Sequence, residues 1–260
     1  MINDELPLWS APFGLMILET MPVRSGMKVL DIGSGNGFPM LEIAERLGDT
    51  SEVYGLDPAE DAVNIIHQKA AAWQTGNARI IRGVAEEMPF PDGFFDLIVA
   101  NNGINNVQDQ EKTLQECYRV SKTGARVILT VNLPQTMIEF YRIFEETLSE
   151  FDLHDAIHDM HAHILEKRKP VEFLENLIEK AGLTIRSVTT GDFKLRFAGG
   201  AAFLQHHLIR MAFLPSWKSL LPEISADKVF KRIVEKIDQI TTETGEFFVT
   251  IPYACLDCKK

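Results

Sequence analysis

The segment Val29-Leu30-Asp31-Ile32-Gly33-Ser34-Gly35-Asn36-Gly37 constrains the fold of this chain more than any other stretch, because it sets three glycines between a strand and a helix. Lys28 to Ile32 reads as the strand. Pro39 to Leu47 reads as the helix, with Met40, Leu41, Ile43, Ala44 and Leu47 at helical spacing. Glycine has no side chain, so the turn can be tight and its backbone can approach a ligand closely. The helix beyond it offers unpaired N–H groups to a carboxylate or phosphate. A dinucleotide fold would want G-x-G-x-x-G and hence glycine at position 38, where the chain has Phe38, so a nicotinamide oxidoreductase is disfavoured. Asp57 closes the next strand in Gly55-Leu56-Asp57-Pro58. A carboxylate there suits the vicinal hydroxyls of a ribose, and it also suits a cap on the following helix.

From residue 28 to 132 short apolar runs alternate with longer helical ones, the pattern of a parallel sheet with crossover helices. Strands are expected at Glu52 to Leu56, Ala78 to Ile81, Phe95 to Ala100 and Arg126 to Val131. Helices are expected at Ala59 to Trp73 and Glu111 to Val120. Farther on, Pro134 to about Leu165 reads as one long or broken helix, Val171 to Ala181 as another, and Leu183 to Thr190 as a sixth strand. A helix-rich stretch from about Gly199 to Thr242 precedes a seventh strand at Glu246 to Ala254. No repeat divides the chain, so residues 1–260 are expected to form one domain, with helical lid insertions at about 134–166 and 199–242.

At 260 residues the chain can bury a sizeable core, and 45% hydrophobic with 24% charged residues is a globular composition. A net charge of −11 works against nucleic acid and anionic membranes as partners. No apolar run approaches membrane-spanning length, and Met1 to Leu6 lacks a secretory pattern, so a cytoplasmic protein is expected. Three cysteines, at 117, 255 and 258, give a single C-x-x-C, half a zinc site at most.

Ala85-Glu86-Glu87-Met88-Pro89-Phe90-Pro91-Asp92-Gly93-Phe94-Phe95-Asp96 joins the third strand to the fourth, and Arg119-Val120-Ser121-Lys122-Thr123-Gly124-Ala125 turns into the fifth. With the glycine loop and Asp57, these segments closely resemble the class I S-adenosylmethionine-dependent methyltransferases, particularly the branch of ubiquinone and menaquinone biosynthesis, over about residues 27–132. The resemblance implies an α/β fold: a doubly wound, seven-stranded, mostly parallel sheet of Rossmann-like methyltransferase type, its last strand antiparallel. It implies S-adenosyl-L-methionine as cofactor. Asp31, Gly33, Ser34, Gly35 and Gly37 would then surround the methionine moiety, Asp57 would hold the ribose and Pro58 would lie on the adenine. Ala85 and Glu86 would meet the adenine ring, and Asn101 would stand beside the methionine amino group. Val84 departs from the pattern, standing where many members carry an aspartate for the adenine amino group.

The implied activity is methyl transfer to a small, apolar or aromatic acceptor. The alternative is a protein that binds S-adenosylmethionine or S-adenosylhomocysteine without transferring a methyl. The acceptor, the atom methylated, any general base and any homo-oligomer are left open. On the acceptor side, Asn102-Gly103-Ile104-Asn105-Asn106-Val107 could orient an acceptor or merely satisfy loop backbone; asparagine cannot act as a base at neutral pH. His154, His158 and His161 would share one helix face, as a solvated surface, an acceptor contact or a metal site, with no resident metal expected. His206 and His207 sit in apolar surroundings that favour packing. Trp9 and Phe13 could close over the cofactor or pack on the sheet. The aromatics of the two insertions could enclose the acceptor or pack insertion against insertion.

Overall fold

A computed structural model describes residues 9–260; Met1 to Leu8, and with them the leader-pattern reading and the first residues of the aromatic amino-terminal segment, lie outside it. The chain folds into two compact units. Unit one runs through Asn132 and adds Lys169–Gly191 and Tyr253–Lys260; unit two comprises Leu133–Arg168 and Asp192–Pro252.

In unit one, α1 (Ala11–Thr20) leads into β1 (Lys28–Ile32), α2 (Met40–Leu47), β2 (Glu52–Asp57), α3 (Glu60–Trp73), β3 (Ala78–Arg82), β4 (Phe95–Asn101), a 3-10 turn (Ile104–Asn106), α4 (Gln110–Val120) and β5 (Ser121–Asn132). β1 pairs in parallel with β2 and β4, β2 with β3, and β4 with β5. The seven strands lie in the order β3-β2-β1-β4-β5-β7-β6, and β7 runs antiparallel to β5. Val29, Leu30, Val53, Leu97, Ile98 and Val99 are buried, as befits strands covered on both faces by crossover helices. Met40, Leu41, Ile43, Ala44 and Leu47, the apolar stripe read on α2, fill the core beneath it. The strand order reverses between β1 and β4, the place where doubly wound sheets open a crevice at the strands' carboxyl ends.

Unit two holds α5 (Ile138–Glu150), α6 (His154–Lys167), α8 (Gly200–Gln205), a π-helical turn (Ile209–Phe213), α9 (Leu214–Ser219) and α10 (Glu223–Thr244), while α7 (Val171–Lys180) belongs to unit one. The stretch after β5 is therefore a broken helix; the break falls at Phe151 to Leu153, where Asp152 takes φ of 56°. β6 (Thr184–Phe197) and β7 (Phe247–Lys259) each contribute to both units and run longer than their local pattern indicates. The insertion aromatics pack on one another: Phe140 stacks on Trp217 with centroids 4.0 Å apart and meets Phe203 at 5.3 Å, and all three are buried. Packing of insertion against insertion thus occupies these side chains. Trp73, the last residue of α3, is 46% exposed, so the apolar face of that helix ends before it.

The thiols are structural. Cys255 and Cys258 lie buried within β7 rather than in a tail, and burial pushes them up to about 11 and about 12, with Cys117 also at about 12. Between them Asp257, buried in β7, accepts from Arg126 Nε at 2.6 Å and Arg186 Nη1 at 3.0 Å. Asp257→Ala would take the carboxylate from the partly buried Arg126, while the exposed Arg186 stays hydrated, a loss of about 1.5–3 kcal/mol for hydrogen bonds to a charged group. A fall of that size is expected in urea unfolding; an unchanged midpoint would show that the network holds nothing.

Candidate cofactor-binding site

The site grows out of the glycine turn. Gly33 N donates to Leu56 O at 2.8 Å, tying the exit of β1 to the end of β2, and Ser34 Oγ donates to the carbonyl of Asp31 at 2.8 Å. Gly35 takes φ of 50°, a left-handed conformation that a branched side chain resists, and its N–H donates to Asp57 Oδ2 at 2.9 Å. The other oxygen, Oδ1, accepts from Ala59 N at 2.9 Å at the entry to α3. Asp57 therefore caps that turn and staples the glycine loop. Each oxygen accepts one of these bonds and keeps further lone-pair capacity, and Asp57 lines the cleft.

Of the residues expected from the sequence, Gly33, Gly35, Asp57, Pro58, Ala85, Glu86 and Asn101 line one cleft of about 750 Å³. Ser34 lines an adjoining cavity of about 260 Å³ with Gly33, Gly35 and Asn101. Gly37 lines neither; a Cβ there would meet Leu41 at 3.0 Å, so it turns the backbone into α2. Trp9 and Ser10 reach the cleft, whereas Phe13 is fully buried with its ring 5.5 Å from that of Tyr253. Phe13 therefore packs in the core, while Trp9 is placed at the cleft. Val84 is half exposed and lines the cleft, and no carboxylate replaces the missing aspartate at that position.

Asp31 lines neither of these two cavities. It is fully buried at the end of β1, and neither carboxylate oxygen has a hydrogen-bond partner. Burial, reinforced by the charge of Asp57, holds its carboxyl well above the usual carboxylate range; the Met40 amide acts the other way without reaching hydrogen-bond geometry. An orphaned carboxylate directly before a ligand loop is an unusual feature, and it favours a cation nearby.

Several supports were not singled out in the sequence. Glu86 Oε1 accepts from Gln108 N at 2.7 Å and Asp109 N at 3.2 Å, which joins the loop after β3 to the start of α4. Arg119 donates to the carbonyls of Phe90 and Met88 and to Glu116, and Glu116 in turn accepts from Met88 N at 2.8 Å, which clamps the 83–94 loop. Asn101 Nδ2 donates to Ser10 O and Phe38 O. On the acceptor side Asn105 Nδ2 donates to Asn132 Oδ1 at 2.7 Å, and Asn102 Oδ1 accepts from Asn132 N at 3.0 Å. Asn102 and Asn105 thus fix the loop, while Asn102 and Asn106 also line the cleft. A Cβ on Gly103 would lie 2.6 Å from Ile32 O, so this loop rests directly on the end of β1.

None of the histidines singled out in the sequence lines either cavity. His154 and His158 are exposed, and His161 Nε2 lies 3.5 Å from Glu145 Oε2. His206 and His207 are exposed rather than packed, His206 touching Phe197 edge-on. Among the described residues no group of three His, Cys, Asp or Glu side chains is placed to hold a metal, and no helix is long and apolar enough to cross a membrane.

Because its pKa is higher in the folded chain, Asp31 contributes full stability only below the ordinary aspartate value near 4, and that contribution is lost as pH rises toward the folded pKa. Asp31→Asn is therefore expected to raise the melting temperature of the ligand-free protein at pH 7 to 8, with the gain fading as pH falls toward about 4. A variant less stable than wild type at pH 8 would contradict the orphaned state of this carboxylate.

A family model described as methyltransferase domain matches residues 23–182. A demethylmenaquinone methyltransferase of Geobacillus sp. (strain WCH70) is 35% identical over 127 residues, covering 49% of this chain and 54% of that one. The chain spans about half the length of the curated relatives it matches. The crystal structure of the YcgJ protein from Bacillus subtilis shares the fold at TM-score 0.63 and 16% identity, over 96% of this chain and 98% of that one. A SAM-dependent methyltransferase from Aquifex aeolicus does so at TM-score 0.51 and 20% identity, over 68% and 82% respectively. The chain belongs to the methyltransferase-domain family, whose cofactor is S-adenosyl-L-methionine.

Proposed function

We propose that this chain transfers the methyl group of S-adenosylmethionine to a small, apolar or aromatic acceptor. The single observation that carries the reading is Asp31, an unpartnered carboxylate beneath a glycine loop, because the cofactor brings a sulfonium and an ammonium charge. The residues fit that group. The Gly33–Gly35 backbone can approach the methionine portion, and Asp57 retains lone pairs for two ribose hydroxyls. Pro58, Ala85 and Glu86 offer a wall for the adenine, and Asn101 stands at the methionine end. Bound there, the cofactor supplies an electrophilic methyl on a positive sulfur.

The chain's own contribution is positioning. Asn102 and Asn106, the polar side chains of the acceptor loop, can orient an acceptor but cannot take its proton, so the acceptor must arrive nucleophilic or lose its proton to water. Holding nucleophile and methyl in line then does most of the catalysis. The named relatives are demethylmenaquinone methyltransferases, which favours a planar aromatic or quinol acceptor here. In this reading the whole chain is one catalytic domain, with the segments 134–166 and 199–242 as its lid elements.

Calorimetry with S-adenosylhomocysteine tests the cofactor half. Asp57→Ala is expected to weaken binding by roughly 1.5–3 kcal/mol, the range for hydrogen bonds to a charged group, and Gly35→Val to abolish it. Unchanged affinity in Asp57→Ala would remove it from the ribose. The transfer half is tested by S-adenosylhomocysteine formed from S-adenosylmethionine over a panel of phenols and quinols; tight cofactor binding with no turnover on any of them would favour a binding protein instead.

A further inference from the structure

Single large apolar side chains in water are ordinary, but two from different helices that meet at one cavity call for a reason. On α1 the buried face is carried by Phe13, Ile17 and Leu18, and Leu15 falls off it, 52% exposed. On α3 the buried face is carried by Ala62 and Ile66, and Trp73 falls off it. Both side chains line one cavity of about 320 Å³ in unit one, together with buried Leu18 and Leu41 and half-buried Phe38. The Trp73 ring meets no other aromatic ring among the described residues, so its surface is open to a ligand.

This cavity shares no residue with the 750 Å³ cleft. Asn36 and Phe38, however, line both it and the 260 Å³ cavity beside Ser34, so the 36–38 segment is a wall common to the two. Three charged side chains reach the cavity. Arg46 Nε donates to Glu42 Oε1 at 2.7 Å, and these two cancel. Lys69 is left over. Its Nζ donates to the Asn36 carbonyl at 3.1 Å and forms no ion pair among the described residues, which leaves two of its three donors for a ligand. In a chain of net charge −11, the balance at this cavity is one positive charge.

A partly buried ammonium beside apolar and aromatic surface fits a molecule with one negative charge on an apolar body. A phosphate monoester would bring nearly two charges against the single unpaired cation, with Glu42 opposing it, which favours a carboxylate. We propose that this cavity binds a small apolar monocarboxylate, its carboxylate on Lys69 and its body against Leu15, Phe38 and Trp73. The volume lies at the lower end of the roughly 300–1,000 Å³ of small-molecule sites. The inference concerns this cavity alone and stands whether or not the neighbouring cleft transfers methyl groups.

The full chain has three tryptophans, so its indole N–H resonances make a direct reporter, with that of Trp73 assigned by its loss in Trp73→Phe. The probe is 4-phenylbutyrate; 4-phenylbutyramide removes its charge and acetate removes its apolar body. 4-Phenylbutyrate is expected to shift the Trp73 resonance saturably at concentrations up to about 10 mM, with the amide much weaker and acetate inert. Lys69→Gln is expected to weaken the titration about 3- to 10-fold and Lys69→Arg less, while Leu15→Glu, a change at an exposed position, should abolish it. The resonance of buried Trp217 reports that each variant is folded. No saturable Trp73 shift in wild type would overturn the site, whatever the variants do. So would an unchanged titration in folded Lys69→Gln or Leu15→Glu, or the amide or acetate acting as strongly as the probe. A shift confined to Trp9 would place the probe in the other cleft, and a Trp73 resonance that moves with protein concentration but not with the probe would make this face a contact between copies; either result overturns the proposal.

Discussion

Asp31, one residue before the end of β1, has both carboxylate oxygens unpaired, and much of unit one is arranged around that unfavourable burial. A charge placed there without compensation costs stability, which marginally stable proteins tolerate only where function returns something. The turn beyond it is held from outside: Gly33 and Ser34 by β2, Gly35 by Asp57. The loop therefore keeps its shape without drawing on the Asp31 carboxylate, which can act on a bound cation only through its field. Asp57 raises the pKa of Asp31 further, so a positive charge bound near the pair would relieve both.

The opposite wall is fixed with equal economy. Glu86 bridges the loop after β3 to α4, and the Arg119–Glu116 pair clamps the same loop through main-chain groups of Met88 and Phe90. Gly103 rests on Ile32, so the acceptor loop and the cofactor loop share a backbone contact with no side chain between them. A binding cleft preorganised in this way avoids much of the entropy lost when loops order on binding. Unit two answers a different constraint. Its stacked aromatics form a core of their own, and the charge they bury is positive, not negative.

How much of this was legible in the sequence follows from how local each signal is. β1, α2 and β2 to β4 were readable because buried parallel strands and amphipathic helices write their pattern within a few residues, and the starts agree to within one residue. β5 begins at Ser121, not Arg126, because Gly124 N and Lys260 N pair the start of β5 with the chain's end. β6 and β7 continue beyond their apolar patterns for a similar reason: the pairing partner decides. The cleft-lining set from Gly33 to Asn101 came from motif and resemblance. The Arg119 clamp spans 28 to 31 residues and left no local trace.

The central claim is that a cationic cofactor binds near the buried Asp31 carboxyl, whose pKa burial raises. Binding should then expel that proton. Calorimetric titration of S-adenosylmethionine in buffers of different ionisation enthalpy measures the proton count directly. Net proton release is expected on wild type at mildly acidic pH, falling away at higher pH where the carboxyl is already ionised, and it should vanish in Asp31→Asn. Equal release in wild type and Asp31→Asn, or no binding at all, would contradict the account.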